Sequence, residues 1–299
     1  IRRPPRSTLD RSSAASDVYK RQGTVLLEME LLSSIIGGFM SLTDEGHYGP
    51  KQLNMLEVIW GKGYLSPGGS DEIDQIIGEL DLSGKRVLDI GCGSGGAVFH
   101  ILEKHNAAEV IGFDVEPLVI EQANTEALEK DLSEKALFKC ISPGQLDADD
   151  GSFDVIFSKE AFIHISNKIE LMKDIHRILK PGGYLAVGDW MRNDDNPPSI
   201  QMQEYIAAEG LDYYMCSLDK YREILESTGF KIISMNDRNK WYLEKVRKEV
   251  ADIEGPLWNQ VVEAIGIEEG EYALDIWKKL LGVVEKGEHR PGNFRALKQ

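Results

Sequence analysis

The sequence has few cysteines, few basic residues relative to acidic ones, and no uninterrupted apolar segment long enough for a membrane span. Three cysteines occur in 299 residues, and their spacing matches neither a disulfide framework nor a metal site, so we expect a reducing, cytoplasmic setting and no bound metal. Lys and Arg number 34 against 50 Asp and Glu, a net charge of −16, which disfavours nucleic acid and anionic membranes as partners. The apolar stretch 24–40 is broken by Glu28 and Glu30 and is too short to cross a bilayer.

The first 22 residues have no apolar periodicity and do not read as a folded segment. They are basic and rich in Ser and Pro, and they resemble the translation of a sequencing-library adapter. A transit peptide is the alternative, against which Asp10 and Asp17 weigh. We therefore treat 1–22 as a non-native leader, with the true start at a downstream methionine such as Met29 or Met40.

What the sequence does contain is a strand, a glycine turn and a helix in succession. Residues 86–96 read RVLDIGCGSGG: a short apolar run carries Asp89 and ends in Gly91, Gly93 and Gly95. Glycines allow unusual dihedral angles and let the backbone pass close to a ligand. A strand–turn–helix unit of this kind places a ligand at the carboxyl edge of a parallel sheet.

Strands and helices then alternate along the chain. Apolar strands are predicted at 86–90, 109–113, 136–141, 152–157 and 184–189, with amphipathic helices between them, and two further strands at 230–235 and in the NFRALK tail. The pattern predicts an α/β fold, a doubly wound, Rossmann-like, seven-stranded and mostly parallel sheet. We expect a helical lid at 23–70, a cofactor-binding core at 71–190, and cap helices with the last strands at 191–299.

The glycine spacing distinguishes between cofactors. A dinucleotide fingerprint needs G-x-G-x-x-G, whereas Gly91, Gly93 and Gly95 alternate. This motif resembles motif I of the class I methyltransferases that use S-adenosylmethionine, in which the carboxylate corresponding to Asp89 anchors the methionine end of the cofactor. Asp114, at the tip of the second strand, suits the ribose hydroxyls. A tight turn without a ligand is the structural alternative.

A second motif follows the fourth predicted strand. Residues 158–166 read SKEAFIHIS, and Glu160 and His164 lie four apart, on one face if the segment turns helically. A carboxylate beside an imidazole can fix its tautomer and raise its basicity. The alternative is a surface Glu–His pair on a loop.

Together with GKGYLSPGG and LKPGGYLAVGDW, these motifs resemble the phosphoethanolamine N-methyltransferases and the related glycine and sarcosine N-methyltransferases over residues 43–299. The resemblance implies that Glu160 and His164 form the catalytic pair, with Glu in place of the family's Asp, and that Tyr48 closes over the donor methyl group. It implies S-adenosylmethionine as the cofactor and a small molecule as the acceptor, and we expect a monomer. The expected cofactor-binding residues are Tyr64, Ser66, Asp89, Gly91, Gly93, Gly95, Asp114, Val115, Ser142, Ser158 and Glu160.

The predicted cap departs from the resemblance in charge. The stretch IAAEGLDYYM has no arginine, whereas a phosphate needs cationic donors, so phosphoethanolamine is disfavoured as the acceptor. The expected substrate-binding residues, which suit a small cationic amine, are Trp190, Tyr205, Glu209, Tyr213 and Tyr214; packing of these aromatics in the cap core is the alternative. Three other functions stay open: an S- or O-methyltransferase acting on a small acid, an NAD-dependent oxidoreductase, and a non-catalytic methyltransferase-like binding protein.

Overall fold

The computed structural model describes residues 48–299 of the chain. The predictions for the leader 1–22, for a start at Met29 or Met40, and for residues 23–47 of the lid lie outside the described residues. Within residues 48–299, no helix has both the length and the apolar composition that crossing a membrane requires.

The described chain forms a seven-stranded sheet with helices on both faces. The strands are β1 (Arg86–Ile90), β2 (Glu109–Asp114), β3 (Ala136–Cys140), β4 (Phe153–Lys159), β5 (Leu179–Asp189), β6 (Phe230–Asp237) and β7 (Gly292–Lys298). Their order across the sheet is β3-β2-β1-β4-β5-β7-β6, and β7 runs antiparallel to both of its neighbours while β1 to β5 are parallel. The predicted mostly parallel, Rossmann-like sheet is confirmed.

Ten α-helices occur in the described residues. They are α1 (Pro50–Trp60), α2 (Gly69–Ile77), α3 (Gly96–His105), α4 (Pro117–Glu129), α5 (Lys168–Ile178), α6 (Ile200–Glu209), α7 (Leu218–Ser227), α8 (Asn239–Glu254), α9 (Trp258–Ile265) and α10 (Ile267–Glu285), with a 3-10 turn at Phe162–His164. Prolines stand at the first turns of α1 and α4, where a missing N–H costs nothing.

The side chains of each strand alternate between two apolar layers. On β1, Val87 packs in the layer with α2, α3 and α4, whereas Leu88 and Ile90 pack in the layer with α5 and α7. This two-residue period is what covers both faces of a parallel sheet. One helix after Asp189 also packs on the sheet: α7 contacts this layer through Tyr221, Ile224 and Leu225. Its position differs from the prediction that the helices after Asp189 form a cap.

A third apolar cluster joins the remaining helices. Residues of α1, α6, α8, α9 and α10 pack together, with Trp190 from just beyond β5 among them. The described part of the predicted lid, α1, and the predicted cap thus share one core. The helices of the predicted cap come from two insertions, α6 between β5 and β6 and α8 to α10 between β6 and β7, and α1 joins them from before β1.

Two strand boundaries differ from the sequence prediction in ways that affect the site. β4 continues two residues past Phe157, so Ser158 and Lys159 pair with Val187 and Gly188 of β5 inside the sheet. β5 begins at Leu179 rather than at residue 184, because Leu179 pairs with Phe153 across a register shift in this ladder. α5 ends at Ile178, before Pro181, as expected. Pro181 itself lies in the irregular first part of β5.

Candidate active site

The loop after β1 is tied to the end of β2. The backbone N–H groups of Gly91 and Cys92 both donate to the carbonyl of Phe113, at 2.8 and 3.0 Å. Gly91 has a φ of +76°, and a Cβ there would lie 2.1 Å from the Cβ of Ala161. Only glycine fits this position, because any side chain would meet the segment that follows β4.

Asp114 fixes the second turn of the same loop. Its Oδ2 accepts a hydrogen bond from the N–H of Gly93 at 2.8 Å, and its Oδ1 accepts from the N–H of Glu116 at 3.0 Å. Burial nevertheless raises the pKa of Asp114, against the effect of these hydrogen bonds. Each carboxylate oxygen retains a lone pair for a further donor.

Asp89 is a buried carboxylate without a partner. It is 1% exposed, and neither of its oxygens has a hydrogen-bond partner among residues 48–299. Burial raises its pKa to about 8; the negative charge of Asp114 adds to this shift and Lys159 opposes it. Buried polar groups are almost always paired, so an orphaned carboxylate at a strand end is the mark of a site for a cationic ligand.

A large cavity of about 1460 Å³ opens at this edge of the sheet. The predicted cofactor-binding residues that line it are Tyr64, Ser66, Asp89, Gly91, Gly93, Asp114, Val115, Ser142 and Glu160. Its volume is ample for a nucleoside-sized ligand. The structure therefore brings most of the predicted set together at the carboxyl ends of β1, β2 and β4.

Two residues of that predicted set lie elsewhere. Ser158 is fully buried, and its hydroxyl donates to the carbonyl of Ile90 at 2.7 Å, so it ties β4 to β1 instead of lining the cavity. The reason is the longer β4, which keeps Ser158 inside the sheet. Gly95 caps α3, and a Cβ there would lie 2.8 Å from the ring of Phe138, so its role is close packing.

A small cavity of about 60 Å³ adjoins the large one. Five residues line both cavities: Tyr48, Leu65, Ser66, Glu160 and His164. The three residues predicted to be catalytic are therefore all at the boundary between the two cavities. The remaining walls of the small cavity are Leu56, Trp60, Ile163, Trp190, Glu209, Tyr213, Trp277 and Leu280.

The imidazole of His164 is oriented by a backbone carbonyl. Its Nδ1 lies 3.0 Å from the carbonyl oxygen of Asp212. A carbonyl oxygen can only accept, so Nδ1 carries the proton and Nε2 keeps its lone pair. Partial desolvation lowers the pKa of His164 and so favours the neutral ring. The hydrogen bond to the Asp212 carbonyl has the opposite, smaller effect on this pKa. The backbone carbonyl of Asp212 thus fixes the tautomer of His164, a role that the sequence motif predicted for Glu160.

Glu160 sits in a strained conformation directly after β4. Its φ of +57° is in the left-handed region, which is uncommon for glutamate and concentrates at functional sites. Its N–H donates to the carbonyl of Gly188 at 2.7 Å. Oε1 lies 3.8 Å from Nζ of Lys159, and Oε2 is buried. Burial raises its pKa, and Lys159 is the chief opposing influence.

The turn that carries His164 is held by two buried charged residues that the sequence analysis missed. Lys168 donates from Nζ to the carbonyls of Phe162, Ile165 and Tyr214, at 3.0, 2.9 and 2.6 Å. Asp189 accepts from the N–H of Ile163 at 3.0 Å and from the hydroxyl of Tyr221 at 2.6 Å. The contacts of Lys168 with Tyr214 and of Asp189 with Ile163 and Tyr221 join segments far apart in sequence, so no local motif predicts them.

The predicted substrate-binding residues divide into three groups. Trp190, Glu209 and Tyr213 line the small cavity. Tyr205 is fully buried behind it, with its ring centroid 6.3 Å from that of Tyr213. Tyr214 is 44% exposed and lines neither cavity, which differs from its predicted place; its backbone holds the turn, with its N–H donating to the carbonyl of Ile163 at 2.7 Å and its carbonyl accepting from Lys168.

One group of side chains in the described residues has the spacing of metal ligands. Oδ1 of Asp74 on α2 lies 2.7 Å from Nε2 of His100 and 2.8 Å from Nε2 of His105, both on α3. These three residues line neither cavity. They are separate from the candidate active site.

Comparison with known proteins gives concordant similarities. A family model described as a methyltransferase domain matches residues 81–243. Phosphoethanolamine N-methyltransferase 1 of Zea mays is 31% identical over 269 residues, which are 89% of this chain and 52% of that protein. The chain thus spans about half the length of this relative. The resemblance inferred from the sequence motifs is confirmed.

Solved structures agree with the fold. A Haemonchus contortus phosphoethanolamine N-methyltransferase 2, in complex with phosphomonomethylethanolamine and S-adenosylhomocysteine, matches with a TM-score of 0.77 at 24% identity, covering 87% of this chain and 61% of that one. A putative sarcosine dimethylglycine methyltransferase from Galdieria sulphuraria matches with a TM-score of 0.68 at 20% identity, covering 77% and 85%. At these identities the likeness concerns the fold.

Proposed function

The chain belongs to the methyltransferase domain family, and on that premise we propose that it transfers a methyl group from S-adenosylmethionine to the nitrogen of a small amine. The observation that carries the proposal is the orphaned carboxylate of Asp89, which faces the large cavity beside the glycine loop. An ammonium group is the natural partner for a buried, unpaired carboxylate. S-Adenosylmethionine carries one at its methionine end.

The other cofactor-binding roles follow from the cavity wall. Asp114 would accept hydrogen bonds from the ribose hydroxyls through its free lone pairs, since its position is already fixed by two backbone N–H groups. Tyr64 and Ser66 line the same cavity from the loop before α2. When bound, S-adenosylmethionine supplies a methyl group already activated by a sulfonium, so the enzyme's main task is to position the acceptor.

The boundary between the two cavities is where we place the chemistry. The amine must lose a proton as its nitrogen forms a bond to the methyl carbon, and Nε2 of His164 is available to take it. The lowered pKa of His164 keeps the ring neutral and ready to accept at neutral pH. Burial, with nearby carboxylates adding to it, raises the pKa of Tyr48 far above the ordinary value, so its hydroxyl stays protonated and can orient groups at the boundary.

The experiment is a methyl-transfer assay with a labelled methyl donor and a panel of amines, with S-adenosylhomocysteine binding measured in parallel by calorimetry. We expect tight 1:1 binding of S-adenosylhomocysteine and label transfer to nitrogen. Binding without transfer to any amine, together with transfer to a thiol or hydroxyl acid, would refute the nitrogen assignment. Release of a nicotinamide cofactor from the denatured protein would refute the methyl donor itself.

The proposal extends to the protein's setting, a cytoplasmic monomer with no nucleic acid partner. The cysteines support it: Cys92, Cys140 and Cys216 are all free thiols, which suits a reducing compartment. The acidic composition supports the exclusion of nucleic acid. Light scattering of the purified chain tests the monomer, and a mass of twice the chain's would contradict it.

A further inference from the structure

The small cavity has walls that differ in chemistry from those of the large one. Its lining includes five aromatic residues, Tyr48, Trp60, Trp190, Tyr213 and Trp277, and two carboxylates, Glu160 and Glu209. No lysine or arginine of residues 48–299 lines it. Aromatic faces and carboxylates both attract cations and repel anions.

We infer that the small cavity binds the methyl acceptor as a small organic ammonium ion without a phosphate or carboxylate group, such as an amino alcohol or its N-methylated forms. The inference rests on the proposed function and names the acceptor class for the same site. It departs from the relatives, whose names specify phosphoethanolamine.

Glu209 is the carboxylate that makes an anionic acceptor unfavourable. It lies at the end of α6, it is 7% exposed, and no described lysine or arginine forms an ion pair with it. Burial raises its pKa to about 7, and the hydroxyl of Tyr205 opposes the shift. An ammonium ion would complete this site with an opposite charge, whereas a phosphate would add a like charge at a buried carboxylate.

Glu160 contributes less net charge, because Lys159 lies beside it. Nζ of Lys159 is 3.8 Å from Oε1 of Glu160 and hydrogen-bonds Oγ of Ser66, and Lys159 lines only the large cavity. A phosphate in the small cavity would therefore have to draw Lys159 away from both partners. Glu160 also interacts with the indole N–H of Trp190 and with Ser66, and both interactions oppose the rise in its pKa. The charge of Glu160 is therefore partly engaged by its neighbours, whereas no described lysine or arginine forms an ion pair with Glu209.

The size of the cavity points the same way. One water molecule, which has a single heavy atom, needs about 10–15 Å³ of cavity volume. The small cavity of about 60 Å³ therefore accommodates roughly four to six heavy atoms. Ethanolamine and its mono- and dimethyl derivatives fall within this range. Phosphoethanolamine exceeds it.

Glu249 on α8 positions the aromatic wall from behind. Its Oε1 accepts from the indole N–H of Trp60 at 2.9 Å, and its Oε2 accepts from that of Trp277 at 3.2 Å. The two indoles come from α1 and α10, and their ring centroids are 5.7 Å apart. With both N–H groups engaged by Glu249, the rings are left as cavity wall. Glu249 is thus a positioning residue for the acceptor.

The first test compares initial rates at a saturating methyl donor for three acceptor groups: ethanolamine with its N-methylated forms, glycine with sarcosine, and phosphoethanolamine. We expect kcat/KM for the best amino alcohol to exceed that for phosphoethanolamine by at least tenfold. A preference for phosphoethanolamine or for an amino acid would overturn the inference while leaving the proposed function intact. Transfer to none of these amines would refute the proposed function instead.

The second test uses matched variants on the same helices. Glu209→Gln should raise KM for the amino alcohol tenfold or more with S-adenosylhomocysteine affinity unchanged, and Glu204→Gln, an exposed position on α6, should change neither. Equal KM values for both variants would overturn the assignment of Glu209.

Glu249→Gln keeps an acceptor for the indoles and should raise KM less than Glu249→Leu does, with kcat little affected in either variant. Glu244→Gln, exposed on α8, is the control. A merely structural role for Glu249 would lower the amount of active enzyme and leave KM unchanged, which contradicts the positioning role.

Quenching of tryptophan fluorescence by N,N-dimethylethanolamine, which has six heavy atoms and so falls within the size range of the small cavity, gives a readout that needs no turnover. Saturable quenching that Glu209→Gln weakens is expected. Its absence in the wild-type protein with S-adenosylhomocysteine bound would overturn the inference.

Discussion

Replacing Asp89 with Asn should make the cofactor-free protein more stable and make cofactor binding weaker. The carboxylate of Asp89 is buried without a partner, so it costs stability whenever it is ionised. Asn has nearly the same shape and cannot ionise. The two effects have opposite signs because the same unpaired charge that destabilises the folded chain attracts the ammonium group of the ligand.

The magnitude follows from the pKa of about 8 for Asp89, against an ordinary value of 3.8. Because the folded-state pKa is raised, the folded protein keeps a proton that the unfolded chain has lost between about pH 4 and pH 8. Stability therefore falls as pH rises through this window. At about 1.4 kcal/mol per pKa unit, the loss reaches on the order of 4 kcal/mol at neutral pH, and burial of an imperfectly paired amide in the variant reduces the measurable gain.

The assay is urea unfolding of both proteins at pH 5 and pH 8, without ligand and with saturating S-adenosylhomocysteine. The free energy of unfolding of Asp89→Asn should exceed that of the wild type by more at pH 8 than at pH 5, and added ligand should stabilise the wild type more than the variant. Asp149→Asn, which alters an exposed carboxylate, is the control. A difference between the Asp89→Asn variant and the wild type that is the same at both pH values would refute the reasoning.

Three further outcomes test other parts of the site. His164→Ala should lower kcat by roughly a hundred- to ten-thousand-fold with S-adenosylhomocysteine affinity nearly unchanged, and the deficit should shrink at high pH, where more of the amine is already neutral; equal rates from pH 7 to 9 would contradict the role of base. Gly93→Val should abolish S-adenosylhomocysteine binding in calorimetry, since Gly93 has a φ of +50° and a Cβ there would lie 3.0 Å from Leu65; unchanged affinity would contradict it. Deleting residues 1–22 should change neither the thermal midpoint nor activity, and a loss of several degrees would show that the segment belongs to the fold.

The sheet and the cofactor edge could be predicted because their signals are local. The glycine loop, Asp89 and Asp114 stand at fixed distances from apolar runs that become β1 and β2, and parallel strands bring their carboxyl ends to one edge. The misplacement of Ser158 arose from a strand boundary. Strand ends depend on pairing with a neighbour, here β5, and the apolar pattern alone does not reveal where that pairing stops.

The acceptor side was predicted in part, because its residues come from separate segments. Trp190, Glu209 and Tyr213 all come from the segment between β5 and β6, whose aromatic and acidic residues are recognisable in the sequence. Trp60 and Trp277 join them from helices at opposite ends of the described chain, where each has the ordinary spacing of an amphipathic helix. The partner of His164 is a main-chain carbonyl. Every residue has one, so the sequence cannot indicate which residue provides it.

The position of β7 bears on how the chain is made. Residues 292–298 lie between β5 and β6, so β6 joins the sheet only through a strand that leaves the ribosome long after it. During translation, the edge of β5 stays unpaired until β7 emerges from the exit tunnel. The apolar side chains that pack against Phe294 in the folded protein stay exposed for the same time. Ribosome-bound chains stalled before residue 292 clears the tunnel should therefore be cut readily by protease, and chains extended by a linker beyond residue 299 should become resistant.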